Sequence, residues 1–132
     1  MRWLALSALF LSACATAHEG HLAVVQPPEG INIVLEGPIA GTAEHKLVVG
    51  DLVMVPGTVI PRHKHSGEEF LYVMGGTANL TLEDGTQLVL QAGESARIPA
   101  GTVHWGHAGE EGLRGVASWV VVGDHPLRIL VE

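Results

Sequence analysis

Residues 57–76, GTVIPRHKHSGEEFLYVMGG, place two histidines two positions apart and a carboxylate four positions after the second, between Gly57 and the pair Gly75-Gly76. In a strand, residues i and i+2 share a face. His63 and His65 are therefore expected on one face with Val59 and Pro61, and Arg62 and Lys64 on the other. The cations then point away from the imidazoles. Ser66-Gly67-Glu68 reads as a short turn, and Glu69 as the opening of an antiparallel return strand that brings its carboxylate beside the histidines. Leu71 and Val73 follow Glu69 on its face, which makes that face apolar. Phe70, Tyr72 and Met74 share the opposite face, either in the wall of the domain or at a subunit interface. Glu68 is turned to solvent by the same alternation. Imidazoles and a carboxylate in an apolar interior are costly unless something satisfies them, and a divalent cation would.

A second segment, GESARIPAGTVHWG at 93–106, supplies a further candidate ligand. Ile98-Pro99-Ala100-Gly101 reads as a sharp turn, and His104 lies early in the strand behind it. Gly106 and Ala108 share its face and are small, leaving room for a metal and a ligand. Val103, Trp105 and His107 take the other face. His63, His65, Glu69 and His104 are thus candidate ligands for one transition metal, with no thiolate among them, although local geometry alone does not place His104, 35 residues beyond Glu69. His45 and His107 read as surface or supporting groups and His125, before Pro126, as a loop residue.

The surroundings are strand-forming. The chain has 132 residues, 47% of them hydrophobic, with 17 Gly, 7 Pro and only 16% charged. That length predicts one domain with a real core. Strand signals recur at 31–36, 46–55, 59–65, 69–74, 77–83, 86–91, 95–98, 103–108, 114–122 and 127–131. Gly50-Asp51 reads as a bulge or turn in the second of these. In 77–83, Ala78, Leu80 and Leu82 alternate with Thr77, Asn79, Thr81 and Glu83, the pattern of a half-buried strand. Asp84-Gly85 then reads as a two-residue hairpin turn. No segment keeps a capped 3.6-residue period. About ten short strands in one small domain leave a sandwich or a barrel. A net charge of −7 argues against nucleic acid, which needs a basic surface.

The first residues read as an export signal. Met1-Arg2 is a minimal positive region, and 3–11 is an apolar run too short for a stable membrane anchor. Leu11-Ser12-Ala13-Cys14 resembles the bacterial lipobox, in which the cysteine is lipidated and becomes the first mature residue. Cleavage after Ala15-Thr16-Ala17 is the competing reading. Cys14 is the only cysteine, so no disulfide forms within the chain. The division expected is a signal peptide at 1–13, a tether at 14–30 carrying His18 and His21 in a solvated tail, and a β domain at 31–132. The protein is expected in the cell envelope or periplasm, held to the membrane through Cys14.

The two histidine segments together resemble the two motifs of the cupin superfamily, over roughly 47–122. Gly57, His63, His65, Glu69 and Gly76 fall at the intervals of the first motif. Gly93, Pro99, Gly101 and His104 fall at those of the second, whose closing asparagine is Ala108 here. That departure removes a polar contact at the rim and leaves the ligands intact. The resemblance implies an all-β double-stranded β-helix (jelly-roll) barrel of the small single-domain kind. It also implies one divalent metal (Fe, Mn, Ni, Cu, Co or Zn) on His63, His65, Glu69 and His104. Four protein ligands leave two octahedral positions open, unlike a closed structural zinc site. The activity expected is that of a mononuclear oxygenase acting on a small oxygen-rich molecule, since no second carboxylate, lysine or tyrosine beside the motifs offers an added acid or base. A non-catalytic metal- or ligand-binding lipoprotein is the alternative, and a purely structural domain the third. Glu44, His45 and Trp119 are further groups that the spacing does not place. By the same resemblance a homodimer is expected, through edge strands near 31–35 and 127–131.

Overall fold

The computed structural model describes residues 24–132, which contain eight strands and no helix. They are β1 (Gly30–Pro38), β2 (His45–Met54), β3 (Val59–Lys64), β4 (Glu69–Leu82), β5 (Gln87–Gln91), β6 (Ser95–Ile98), β7 (His104–Val122) and β8 (Ile129–Leu130). All pairings are antiparallel. The expected signal peptide, Cys14, His18 and His21 lie outside the described residues.

Two long strands organise everything else. β4 pairs with β7 from Glu69 opposite Trp119 to Leu82 opposite His104, but each half meets different neighbours. Residues 113–122 of β7 pair with β2, and 69–72 of β4 pair with β6, so one layer runs β1-β2-β7-β4-β6. Residues 104–107 of β7 pair with β3, and 77–81 of β4 with β5, so the other runs β8-β3-β7-β4-β5. The ladder is interrupted between them, with register shifts at Val73/Gly75 and Gly76/Ala78. The inner faces share one core that includes Leu71, Val73 and Trp119 from the first layer and Ala78, Leu80 and Leu90 from the second. This is the double-stranded β-helix barrel.

Glycine makes the fold-over possible. Gly76 and Gly112 have φ of 68° and 83°, a region that L side chains avoid. A Cβ on Gly76 would stand 2.1 Å from the Gly112 carbonyl oxygen, so the two backbones touch where the layers diverge.

Several sequence expectations are corrected. The ten short strands are eight, because 69–74 joins 77–83 in β4 and 103–108 joins 114–122 in β7. Each pair is one strand crossing from layer to layer. The hairpin after β4 has three residues, not two. Gly85 N–H donates to the Leu82 carbonyl, Leu82 N–H to the Thr86 carbonyl, and Gly85 sits at φ 88° as the bulge residue. Gly50-Asp51 lies within an unbroken β2, and the bulge is on the partner strand, between Ile33 and Leu35. Gly50 is needed for space, since a Cβ there would lie 2.8 Å from the Trp119 ring.

Candidate metal centre

The two-residue alternation expected along β3 is broken by a bulge. Ile60 is opposite Gly106 and His63 opposite His104, so three steps on β3 match two on β7. Pro61, which has no N–H for the ladder, and Arg62 both face outward, and Arg62 stacks over Trp105 at 4.6 Å. Val59 and Pro61 are therefore exposed instead of sharing the histidine face, and Ile60 points in. His63 is the last inward residue of the strand, and His65 lies just beyond its end.

Glu69 does not arrive by a hairpin return. β3 and β4 are not paired; 65–68 cross from one layer to the other, and Glu69 pairs with Trp119 and Ile98. Gly67 lies against the Val120 carbonyl, leaving no room for a Cβ. The carboxylate thus faces the histidines across the barrel. His104 opens β7 behind the Pro99–Gly101 turn, where Thr102 N–H donates to the Pro99 carbonyl and Gly101 N–H to that of His65. The second histidine segment thereby holds the first. Gly106 does not provide room for a metal. A Cβ there would meet the Asn79 carbonyl oxygen at 1.9 Å, so its size serves the contact between β7 and β4. Gly57, Gly76, Gly93 and Gly101 all have positive φ, and Ala108, where the motif has asparagine, is a core residue.

His63, His65, Glu69 and His104 are all buried, and one ligand atom from each lies within 4.8 Å of the others. That spread suits atoms about 2.0–2.2 Å from a shared ion. Each imidazole has its other nitrogen on a backbone carbonyl. His63 Nδ1–H donates to Pro61 O (2.7 Å), His104 Nδ1–H to Thr102 O (3.0 Å), and His65 Nδ1–H to Leu127 O. A carbonyl only accepts, so the proton is on Nδ1 and the inward Nε2 of each neutral ring carries a lone pair. The Glu69 carboxylate stands 3.0 Å from His65 Nε2 and 3.1 Å from His104 Nε2. Those contacts would be hydrogen bonds only if a ring were protonated. His65 Nε2 and Glu69 Oε2 are in fact buried atoms without a hydrogen-bond partner. Lone pairs turned on a carboxylate in a buried space call for a cation.

The proton affinities agree. Burial, followed by the neighbouring histidines, lowers His63 to about 4 despite its bond to Pro61. Burial alone would raise Glu69, but His104 and His65 hold its carboxyl down to about 2. Burial opposes charge on His104 too, yet Glu69 and the Thr102 carbonyl raise it. Without an ion, Glu69 favours the protonated form of His104; a divalent cation would satisfy the whole cluster. The four residues form a site for one divalent transition metal, with an N₃O donor set that excludes none of the six named above.

The site opens on a cavity of about 50 Å³, walled mainly by aliphatic side chains such as Ile31, Leu52, Met54 and Leu113. Trp119 and Arg128 also line it. Trp119 was among the unplaced groups, and only inward alternation with Ala117 and Val121 in β7 could have found it. Leu127 and Arg128 lie in irregular chain after Pro126, where no periodicity signals a role. Glu44 is exposed at the turn before β2 and His45 opens that strand, opposite Val122; neither lines the cavity. His107 and His125 are exposed, and Glu68 pairs with Arg97 on the surface.

The sequence profile of the cupin domain matches residues 50–123, more than half of the chain. The chain belongs to the cupin domain family. No curated protein matches it. Among solved structures, this cupin is similar to a double-stranded β-helix protein from Klebsiella pneumoniae, with 27% identity, TM-score 0.57, and 82% of this chain and 90% of that one covered. It is also similar to a DMSP lyase from Ruegeria pomeroyi, with 21% identity, TM-score 0.54 and coverage of 68% and 44%. A variant of Bacillus subtilis oxalate decarboxylase matches with 23% identity, TM-score 0.52 and coverage of 67% and 24%. The chain therefore spans less than half of the lyase and about a quarter of the decarboxylase.

Proposed function

We propose that this cupin is a mononuclear metal-dependent oxygenase acting on a small oxygen-bearing organic molecule. The observation that carries the reading is the convergence of three Nε2 lone pairs and one carboxylate oxygen at the wall of a cavity. Four protein ligands leave positions for a substrate, and the cavity gives it somewhere to lie. The metal, when bound, supplies Lewis-acid or oxygen-activating chemistry. The chain's own residues fix the imidazoles through Pro61, Thr102 and Leu127, hold the Glu69 charge at the ion, and exclude water with an aliphatic wall. Among the residues lining the cavity, Glu69 is the only carboxylate and there is no lysine or tyrosine. That favours chemistry drawn from the metal over chemistry needing a separate protein base. The lyase and the decarboxylase share only the fold at these identities, so their reactions remain comparison substrates.

The alternative is a protein that captures a metal or small ligand without turning it over. Metal-loaded protein screened for oxygen uptake with keto acids and catechols separates the two. Uptake that disappears in His63→Ala supports the oxygenase; bound metal with no uptake across the screen supports the binder.

Export and lipid attachment at Cys14 are part of the proposal and rest on the lipobox-like tetrapeptide. Labelled palmitate incorporated by the full chain and not by Cys14→Ala would establish them. A homodimer is proposed through edge strands. β1 and β8 end the path of the sheet, and β1 exposes Ile33, Val34 and Leu35. Light scattering on the eluting protein measures the mass.

A further inference from the structure

The cavity beside the four ligands is chemically lopsided. Its wall is aliphatic apart from Trp119 and Arg128. Trp119 is 3% exposed, and its Nε1 is a buried donor with no acceptor in the protein. Indole N–H groups ordinarily find a partner when buried. The benzo edge of the ring is packed against Gly50, and the ring centroid is 6.0 Å from that of His65. Arg128, on the exposed chain just before β8, also lines this cavity. It follows Leu127, whose carbonyl holds His65, so its backbone is tied to the metal cluster.

The charges add in one direction. A divalent ion with the Glu69 carboxylate leaves one positive charge, and Arg128 adds another. No other acid lines the cavity. Low-dielectric walls concentrate that field on whatever enters. The whole chain is acidic, with net charge −7, so with the ion bound the cavity would be positive within a negative molecule. Its volume of about 50 Å³ holds only a few water-sized groups, at roughly 10–15 Å³ for each.

We infer that Arg128 and Trp119 are specificity-determining residues, and that they select a small carboxylate. Arg128 supplies the counter-charge at the cavity, and Trp119 Nε1–H donates to an oxygen of the bound molecule. An oxygen acceptor answers the orphaned donor, and a negative charge answers the guanidinium and the ion. A neutral diol or phenol would answer only the first. This inference rests on the metal reading and narrows the substrate class within it.

The test is calorimetry and visible spectroscopy on Co(II)-loaded protein with pyruvate as the anion, methyl pyruvate as its neutral analogue, and chloride as a simple anion. Pyruvate is expected to bind at least about tenfold tighter than methyl pyruvate and than chloride, a difference of about 1.4 kcal/mol. Arg128→Gln should remove most of that preference and Arg128→Lys restore part of it, a pattern that loss of packing would not give. Trp119→Phe should weaken pyruvate binding with cobalt content unchanged. Because Trp119 is in the core, Arg128→Gln, an exposed substitution, decides the matter if Trp119→Phe fails to fold. Equal affinity for pyruvate and its ester, or an anion preference unchanged in Arg128→Gln, overturns the inference alone. Binding of chloride as tight as pyruvate overturns the carboxylate assignment. Failure of the wild-type protein to hold cobalt overturns the metal reading, and this inference with it.

Discussion

His63, His65 and His104 each spend Nδ1–H on a backbone carbonyl, and that shared choice turns three lone pairs inward on Glu69. The cluster is therefore a competition between protons and a metal. His63 is lowered to about 4 from 6.5, so the unfolded chain binds the proton more readily. Its contribution to stability is complete above about pH 6.5 and is lost as pH falls toward 4. Glu69, held at about 2, contributes stability above about pH 4.5 that is lost as pH falls toward 2. His104 has the opposite sign, since its raised pKa adds stability at low pH that is lost as pH rises through the folded value. Chelated protein is thus expected to melt at a lower temperature at pH 4.5 than at pH 7.5. A melting temperature that is flat or rises on acidification would contradict this balance. Metal binding near pH 6.5 should release a fraction of a proton, from His104, and less at pH 8.5. Calorimetry in buffers of different ionisation enthalpy measures it. Glu69→Gln keeps the shape and removes the charge, and should lower metal affinity at least about tenfold.

At the scale of the strand, the close contact at Gly76 is the decisive local feature. Gly93 also has positive φ, but a Cβ there would meet nothing. Gly93→Ala should cost about 1–2 kcal/mol for the left-handed backbone alone. Gly76→Ala adds a collision with the Gly112 carbonyl, and overpacking of that kind costs a further ~1–3 kcal/mol. Urea unfolding of the two variants compares them; equal losses would mean that the contact is not what shapes the fold-over. The sequence carried the strand segments well, because apolar alternation in 77–83 and 114–122 survives whatever the strands pair with. It could not show that β4 and β7 each serve both layers, since a bend at Gly75-Gly76 and a turn between strands look alike along the chain. Nor could it show the β3 bulge. Alternation from His63 backward put Val59 and Pro61 inward, and only the β7 register reveals that Ile60 takes that place. The four ligands were readable because their types and intervals are local; Leu127, Trp119 and Arg128 join them through pairings tens of residues apart.

Seen whole, the barrel closes its two layers on one another partly through the site. Glu69 and Trp119 come from one layer and His63 and His104 from the other, so an ion held among the ligands bridges both. Metal binding should therefore stabilise the whole domain, not a local loop. At a free metal concentration a thousandfold above the dissociation constant, the gain is about 4 kcal/mol. For a domain near 100 residues that is roughly 15–30 °C in melting temperature, reversed by chelation. The measurement that bears most directly on the central claim is elemental analysis of the wild-type protein and of His65→Ala, each stripped by chelator, reloaded with Mn(II), Fe(II), Co(II), Ni(II) or Zn(II), and desalted. The structure predicts one ion per wild-type chain for at least one of these metals, with His65→Ala losing it. Wild-type protein that retains none of them, or a variant that retains the ion as well as wild type, would contradict it.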